Sequence, residues 1–337
     1  MKKLLLFFLI VLPLGCSKIS EQKIIETRSY MHTFVQIQIL SGNPKEDYKI
    51  MNKAFDAVAE VETNTSRFIA SSDVSKIKNA PSNQKIKVSS YTFNCLSLAK
   101  KLNKKTNGKY DVTISPLVDL WGFGKNKNTK IPSKEKIVSA LKKIGSDKFF
   151  LFRNCNAIST SVNNLDIDLS SVAKGAAVDA AAQKLLDSGI SNFLINAGGE
   201  IRTSSTGEKI WHVGIQKPEL NASSGDVITN DILKIKNKAV ATSGNYRNYF
   251  KHGTNFYFHI INPKTGFPLK TSVMSITVTA PTCAEADAWA TAFFTLSPEE
   301  AIKLANKTPK IECFIIERPA KGENNFIFHK SKNFDAN

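Results

Sequence analysis

The chain has 337 residues, 42% of them apolar, and a formal net charge of +17. That length supports a sizeable core in one large or two smaller domains. The lysines are scattered, and clusters such as Lys100-Lys101 with Lys104-Lys105 lack interleaved aromatics, so the charge reads as a solvated basic surface suited to anionic substrates and lipid headgroups and not as a nucleic-acid groove.

Met1-Lys2-Lys3 followed by the apolar run from Leu4 to Leu14 forms a basic n-region and a short h-region. About eleven apolar residues are too few to span a bilayer, which needs roughly twenty, so residues 1–15 read as a signal peptide. It ends at Leu12-Pro13-Leu14-Gly15-Cys16, where Gly-Cys resembles a bacterial lipobox. In that reading Cys16 is acylated and becomes the first mature residue, anchored without spanning; ordinary secretory cleavage nearby is the alternative. Ser17, in place of Asp, gives no argument for retention in the inner membrane. Residues 16–24 are expected as a tether, 25–330 as the folded unit and 331–337 as a loose tail. Cys95, Cys155, Cys283 and Cys313 show no CxxC spacing, which argues against structural zinc and leaves one or two disulfides open without assigning them.

Thr33 to Leu40 alternates like a strand, and Pro44 opens a helix with Tyr48, Met51, Phe55 and Val58 on one face. A second helix is expected over Ser90 to Leu102, ended by Asn107-Gly108. Residues 109–124, rich in prolines, glycines and aromatics, predict an ordered irregular loop of the kind that builds sites. A helix over Ser133 to Ile144 follows, then strands at Phe149–Phe152 and Leu165–Leu169. Ser170/Ser171 are suited to cap a helix over 171–187 that buries Val178, Ala181, Leu185 and Leu186. Asn192 to Asn196 reads as a short buried strand running into Gly198-Gly199, and further strands are expected at 211–216, 227–235, 257–261 and 273–279. Helices close the chain at 284–295 and 298–306, the second announced by Ser297-Pro298-Glu299-Glu300. No strict βαβ rhythm holds, so the fold class is α+β.

The polar signals concentrate between Thr242 and Thr291. They are Thr242-Ser243-Gly244-Asn245-Tyr246-Arg247, His259-Ile260-Ile261-Asn262-Pro263-Lys264-Thr265-Gly266 and Glu285-Ala286-Asp287-Ala288-Trp289-Ala290-Thr291. Asp287 and Thr291, four apart in a helical pattern, put a carboxylate and a hydroxyl on one face, which suits a hard cation such as Mg2+. The apolar neighbours of Asp287 imply burial, and a buried Asp needs a partner. Asp168 precedes the start of the 171–187 helix, where amides and the helix dipole favour phosphate, and Lys174 lies one turn in. His259 is suited to general-base work near neutral pH. Asp179, on the same helix as Lys174, reads as structural.

These blocks, together with Tyr30-Met31-His32-Thr33-Phe34, Tyr110-Asp111, Ser115-Pro116-Leu117-Val118-Asp119-Leu120-Trp121-Gly122-Phe123-Gly124, Asp168-Leu169-Ser170-Ser171-Val172-Ala173-Lys174-Gly175 and Asn196-Ala197-Gly198-Gly199-Glu200, resemble the ApbE family of flavin transferases from about Thr27 to Phe328. The resemblance implies one large, T-fold-related catalytic unit, a lipoprotein facing the periplasm, with the inner membrane the expected anchor and the outer one the alternative. It implies an enzyme that binds FAD with Mg2+ and moves FMN onto a threonine hydroxyl of a partner flavoprotein, such as a redox-pump subunit, releasing AMP. Met31, Phe68, Lys109, Tyr110, Asp111, Asp168, Lys174 and Ile261 fall where the family contacts the flavin nucleotide; Ser171, Asp287 and Thr291 fall where it holds the metal; His259 falls on its catalytic histidine. Three departures stand out: Phe68 where an aromatic hydroxyl is common, Asn262 for a frequent Asp, and Ala290 at a position acidic in some members. In this scheme Mg2+ bridges the FAD pyrophosphate while His259 takes the acceptor threonine's proton. Two other outcomes fit the same residues: a Mg2+-dependent FAD pyrophosphatase, and a lipid-anchored flavin binder without chemistry.

Overall fold

The computed structural model describes residues 22–124, 127–219, 226–246, 248–253, 255–318 and 325–334. The signal peptide, Cys16 and Arg247 lie outside the described residues. The first part of the chain forms β1 (Gln22–Tyr30), β2 (Thr33–Ser41), α1 (Pro44–Thr65), α2 (Asp73–Asn79), β3 (Ile86–Lys87), α3 (Ser90–Lys105), α4 (Ser115–Leu120) and α5 (Lys134–Leu141). The middle adds β4 (Phe149–Phe152), β5 (Ala157–Thr160), α6 (Ala173–Asp187), β6 (Phe193–Ala197), β7 (Glu200–Ser204), β8 (Trp211–Gln216) and β9 (Val227–Ile235). The last part holds β10 (Ala239–Gly244), β11 (Tyr249–His252), β12 (Asn255–Phe258), β13 (Val273–Ala280), α7 (Cys283–Phe294), α8 (Pro298–Asn306), β14 (Glu312–Glu317) and β15 (Ile327–Lys330).

An eight-stranded sheet in the order β1-β2-β6-β7-β10-β13-β14-β15 is the frame, and its neighbours pair antiparallel throughout. Strand alternation sorts its side chains into two cores. On one face Ile37, Ile195, Ala241, Val278 and Ile315 pack with residues of α1, α3, α6 and α7. On the other face Ile201, Val240, Phe314 and Ile316 meet Trp211, Val213, Leu233 and Ile235 of the β8–β9 hairpin. A third cluster joins Leu117 and Trp121 to Ile137 and Ala140 of α5 and to Phe250 and Ile261. The mixture of helices with antiparallel sheets is the expected α+β class.

Several expectations hold closely. The strands at 211–216 and 227–235 and the helix at 298–306 fall as read, the last with Ser297 and Glu300 in a reciprocal capping box. Others change. Leu165–Leu169 is not a strand: its hydrophobic residues are buried, but the Asp168 amide bonds to the Val112 carbonyl at 2.7 Å in place of a neighbouring strand. Residues 109–124 contain α4 and a 3-10 turn over Val112–Ile114, so that segment is more regular than the loop expected. Tyr48, expected on the core face of α1, is 47% exposed in the helix's first turns, ahead of the buried stretch from Met51 to Thr65. Leu186, expected with Leu185 in the core, is likewise exposed, one residue from the end of α6.

The ends of the folded unit are also tighter than expected. Gln22 to Ile24, assigned to a tether, belong to β1 and pair with Leu40 and its neighbours on β2. Ser331 and Phe334, assigned to a loose tail, are buried, with Phe334 stacked on Phe314. Cys95, Cys155, Cys283 and Cys313 are all free thiols, and Cys95, Cys283 and Cys313 are buried, so no disulfide joins them. No helix among the described residues is long and apolar enough to cross a membrane.

Candidate active site

A cavity of about 470 Å³ opens where the N-terminus of α6 and the side of α7 that carries Asp287 and Thr291 approach the start of β7 and the end of β10. Its wall includes Phe68, Lys109, Tyr110, Asp111, Asp168, Ser171, Lys174, His259, Ile261, Asp287 and Thr291. Residues up to 223 positions apart in the sequence (68 and 291) therefore converge, as the sequence reading required. Met31 is the exception, since it is not part of that wall. It occupies the β1–β2 turn with φ of 52°, beside His32 at 58°, and the His32 ring meets Phe68 edge-on at 6.2 Å.

Helix ends dominate the floor. α6 starts at Ala173 behind Val172, and no side chain caps it. Neither Ser170 nor Ser171 takes the capping role expected, because both lie in the turn ahead of Val172, which holds the cap position. The Ser170 amide donates to Asp168 Oδ1 at 2.8 Å, and Ser171 Oγ lies 2.8 Å from the Tyr110 hydroxyl. The acceptor that α6 lacks comes from α7: the Gly175 amide donates to Asp287 Oδ2 at 3.0 Å. The service is returned, since Asp179 of α6 accepts from the Cys283 and Ala284 amides at 2.9 Å each at the start of α7 and pairs with Arg202 at 2.7 Å. Asp179 is structural, as the sequence suggested.

Charge is concentrated beneath the cavity. Lys174 Nζ lies 2.5 Å from Glu200 Oε1 and 3.7 Å from Asp287 Oδ1. Burial opposes its charge, but Asp287 and Glu200 more than offset that and hold its pKa above the ordinary lysine range. Burial raises the Asp287 carboxyl, against the pull of Lys174 and the Gly175 amide. Burial also pushes Glu200 up to about 7, with Lys174 opposing and Asp287 adding to the rise. In the sequence Glu200 is only the end of the Asn196-Ala197-Gly198-Gly199-Glu200 motif, and a lone Glu after Gly-Gly carries no signal of burial. The two-residue turn at Gly198-Gly199, with φ of 69° and 115°, sends β7 back and aims Glu200 inward.

The cation expectation meets a plain donor set. Among the described residues no cluster of three or more His, Cys, Asp or Glu side chains is placed to hold a metal. What is present is oxygen: the Asp287 carboxylate, and the Ser243 and Thr291 hydroxyls 3.1 Å apart, with Ser171 lining the same cavity. These hard donors suit Mg2+, which retains waters and takes phosphate oxygens, so the residues fit the ion. Thr242-Ser243-Gly244 is the end of β10, paired to Thr277, Ile276 and Ser275, and the ladder fixes the backbone that carries the two hydroxyls.

His259 lies one residue past β12, not within the strand expected at 257–261. Its Nδ1 lies 3.2 Å from the Asn248 carbonyl, which can only accept, so Nδ1 carries the proton and Nε2 a lone pair. Burial lowers its pKa below 6.5, with the Asn248 bond opposing, and keeps the ring neutral. Asp111 behaves differently from a ligand group. It accepts from the Thr113 amide and hydroxyl, the Ser146 amide and hydroxyl, and Asn103, at 2.7–3.2 Å, so its carboxylate organises the wall. Lys109 is paired with Glu300 at 2.7 Å at the rim. Arg67, not singled out by sequence, forks onto Asp119 at 2.6 and 3.0 Å and lies 3.9 Å from Asp168.

The ApbE family pattern matches residues 31–315. An FAD:protein FMN transferase of Haemophilus influenzae is 34% identical over 281 residues, covering 82% of this chain and 79% of that one. One from Vibrio cholerae is 32% identical over 305 residues, covering 89% and 90%. Among solved structures, the flavin transferase ApbE from Vibrio cholerae superposes with a TM-score of 0.82 at 28% identity, over 94% of this chain and 99% of that one. An ApbE protein from Thermotoga maritima gives 0.79 at 29% identity, over 94% and 99%.

Proposed function

The chain belongs to the ApbE family, and from that premise we propose that it is an FAD:protein FMN transferase. It moves the FMN half of FAD onto a threonine hydroxyl of a partner flavoprotein, with Mg2+, and releases AMP. The observation that carries the reading is His259, a neutral imidazole on the wall of the same cavity as Lys174 and Asp287, with its Nδ1 taken by the Asn248 carbonyl. His259 takes the proton of the acceptor hydroxyl, whose oxygen forms a bond to the FMN-side phosphorus as the bond to the AMP oxygen breaks. Lys174 holds the pyrophosphate by charge, and the amides at the start of α6 add their dipole. A cation held by Asp287, Thr291 and Ser171 would neutralise pyrophosphate charge. Phe68, 53% exposed at the mouth, offers a stacking face for the flavin.

We place the protein at the periplasmic face of a membrane, the inner one by expectation, held by lipid on Cys16. The basic start and the Gly-Cys pair support that reading. A Cys16→Ser form recovered in the membrane fraction would count against it.

The deciding experiment mixes a soluble form, starting after Cys16, with FAD, Mg2+ and a flavin-acceptor domain, and follows products by mass spectrometry. An acceptor heavier by FMN with stoichiometric AMP establishes transfer. AMP and free FMN at equal rates with and without acceptor make it a pyrophosphatase, and neither product leaves a flavin binder. His259→Ala should still bind FAD and lose about 10²–10⁴-fold in transfer; full activity would remove His259 from the mechanism.

A further inference from the structure

Glu200 takes no part in the chemistry above, yet it is 4% exposed on the cavity wall. One of its oxygens binds the Lys174 ammonium at 2.5 Å, and the other, Oε2, is buried without a partner. A buried carboxylate with one bare oxygen costs stability, so folding alone does not account for it. The second carboxylate beside Lys174 is Asp287, whose Oδ2 is taken by the Gly175 amide and whose Oδ1 lies 3.7 Å from the ammonium. Two carboxylates thus compete for one ammonium, and the short charge-assisted bond goes to Glu200.

We propose that Glu200 is a positioning residue that holds the Lys174 ammonium off Asp287 and so leaves Asp287 Oδ1 available to a hard divalent cation. The proposal rests on the reading of Asp287 as a cation ligand. Lys174 keeps enough freedom for the alternative arrangement, since its side chain is 28% exposed. With the charge of Glu200 removed, the ammonium closes on Oδ1, and Asp287 is then occupied on both oxygens. Glu200 would act on the cation through Lys174, without touching it.

The test is Mn2+ binding to the full-length protein in detergent, with free Mn2+ read by electron paramagnetic resonance and no turnover required. Glu200→Gln, close in shape, should weaken Mn2+ binding by roughly 10–100-fold, the usual cost of losing a group that orients a ligand. In a Lys174→Met background the same Glu200→Gln change should have no further effect. Lys174→Met alone should bind Mn2+ at least as tightly as the parent, which keeps the idea testable if Glu200→Gln does not fold. Unchanged binding in Glu200→Gln, an equal loss with and without Lys174, or weaker binding in Lys174→Met would each overturn the proposal. Asp287→Ala separates the two readings. If it leaves Mn2+ binding intact, the ligand assignment falls and the role of Glu200 with it; if it abolishes binding while Glu200→Gln does not weaken it, only the role of Glu200 falls.

Discussion

The Gly175 amide and Asp287 Oδ2 meet at 3.0 Å across a helix crossing that leaves room for a hydrogen and no more. A Cβ on Gly175 would sit 2.3 Å from the Cys283 carbonyl oxygen and 2.7 Å from the Ala284 amide nitrogen. Those are backbone atoms at the start of α7, themselves fixed by Asp179. Neither helix can yield without loosening both caps.

Gly175→Ala should therefore destabilise the fold by about 1–3 kcal/mol, the usual range for an overpacked site. It should also weaken Mn2+ binding, because α6 moves off the carboxylate it shares with the cation. Urea unfolding and a Mn2+ titration read the two effects. A variant with parental stability would show that the crossing accommodates a methyl group.

The pH dependence follows from His259. Its folded pKa is lowered, so the neutral form persists below the ordinary 6.5. The acid limb of kcat/KM, which reports the free enzyme, should then fall at a pH below 6.5. Stability has the same sign: between the two values the unfolded chain binds the extra proton, so this contribution is lost as pH falls through that window. A limb at or above 6.5, absent from His259→Ala's residual rate, would contradict the neutral, desolvated ring.

The β1–β2 turn is a third target. Two-residue hairpin turns with positive φ at both positions favour Asn-Gly, yet Met31 and His32 hold them here at 52° and 58°. Such strain costs on the order of 1–3 kcal/mol per residue and persists where function needs the side chain. Met31→Asn combined with His32→Gly should raise stability by about 1–3 kcal/mol and weaken FAD binding, measured by urea unfolding and flavin fluorescence. Unchanged FAD affinity would remove Met31 from the flavin contacts that the family resemblance implied.

Local signals were the legible ones. Ser297-Pro298-Glu299-Glu300 stated a capping box that the chain forms, and the alternation at 211–216 and 227–235 stated two strands that pair. The convergence of Asp168, Lys174, His259, Asp287 and Thr291 was legible only as motifs in order, since no local rule brings residues a hundred apart together. What stayed hidden depends on partners far along the chain. Ser170 and Ser171 had the composition of a cap, but the acceptor at α6 comes from Asp287. Leu165–Leu169 had the pattern of a strand and no strand beside it. The burial of Glu200 is set by the turn before it and by Lys174 from another element.

The C-terminal segment shows the same lesson in energetic form. Read alone, the residues after Lys330 are polar and suggest a loose end. In the structure Ser331 Oγ accepts from the Cys313 amide at 2.9 Å, which turns the chain across β14. Phe334 then lies 0% exposed, its ring stacked on Phe314 at 5.4 Å between centroids. It belongs to the cluster under the β8–β9 hairpin, on the sheet face away from α6 and α7. Phe334→Ala should therefore cost about 3–5 kcal/mol, as expected for emptying a buried aromatic site. Because the cluster does not border the cavity, KM for FAD should stay at the parental value at temperatures where the variant is folded. Urea unfolding reads the first and steady-state kinetics the second. A loss under about 0.5 kcal/mol, the usual range for surface substitutions, would restore the loose tail.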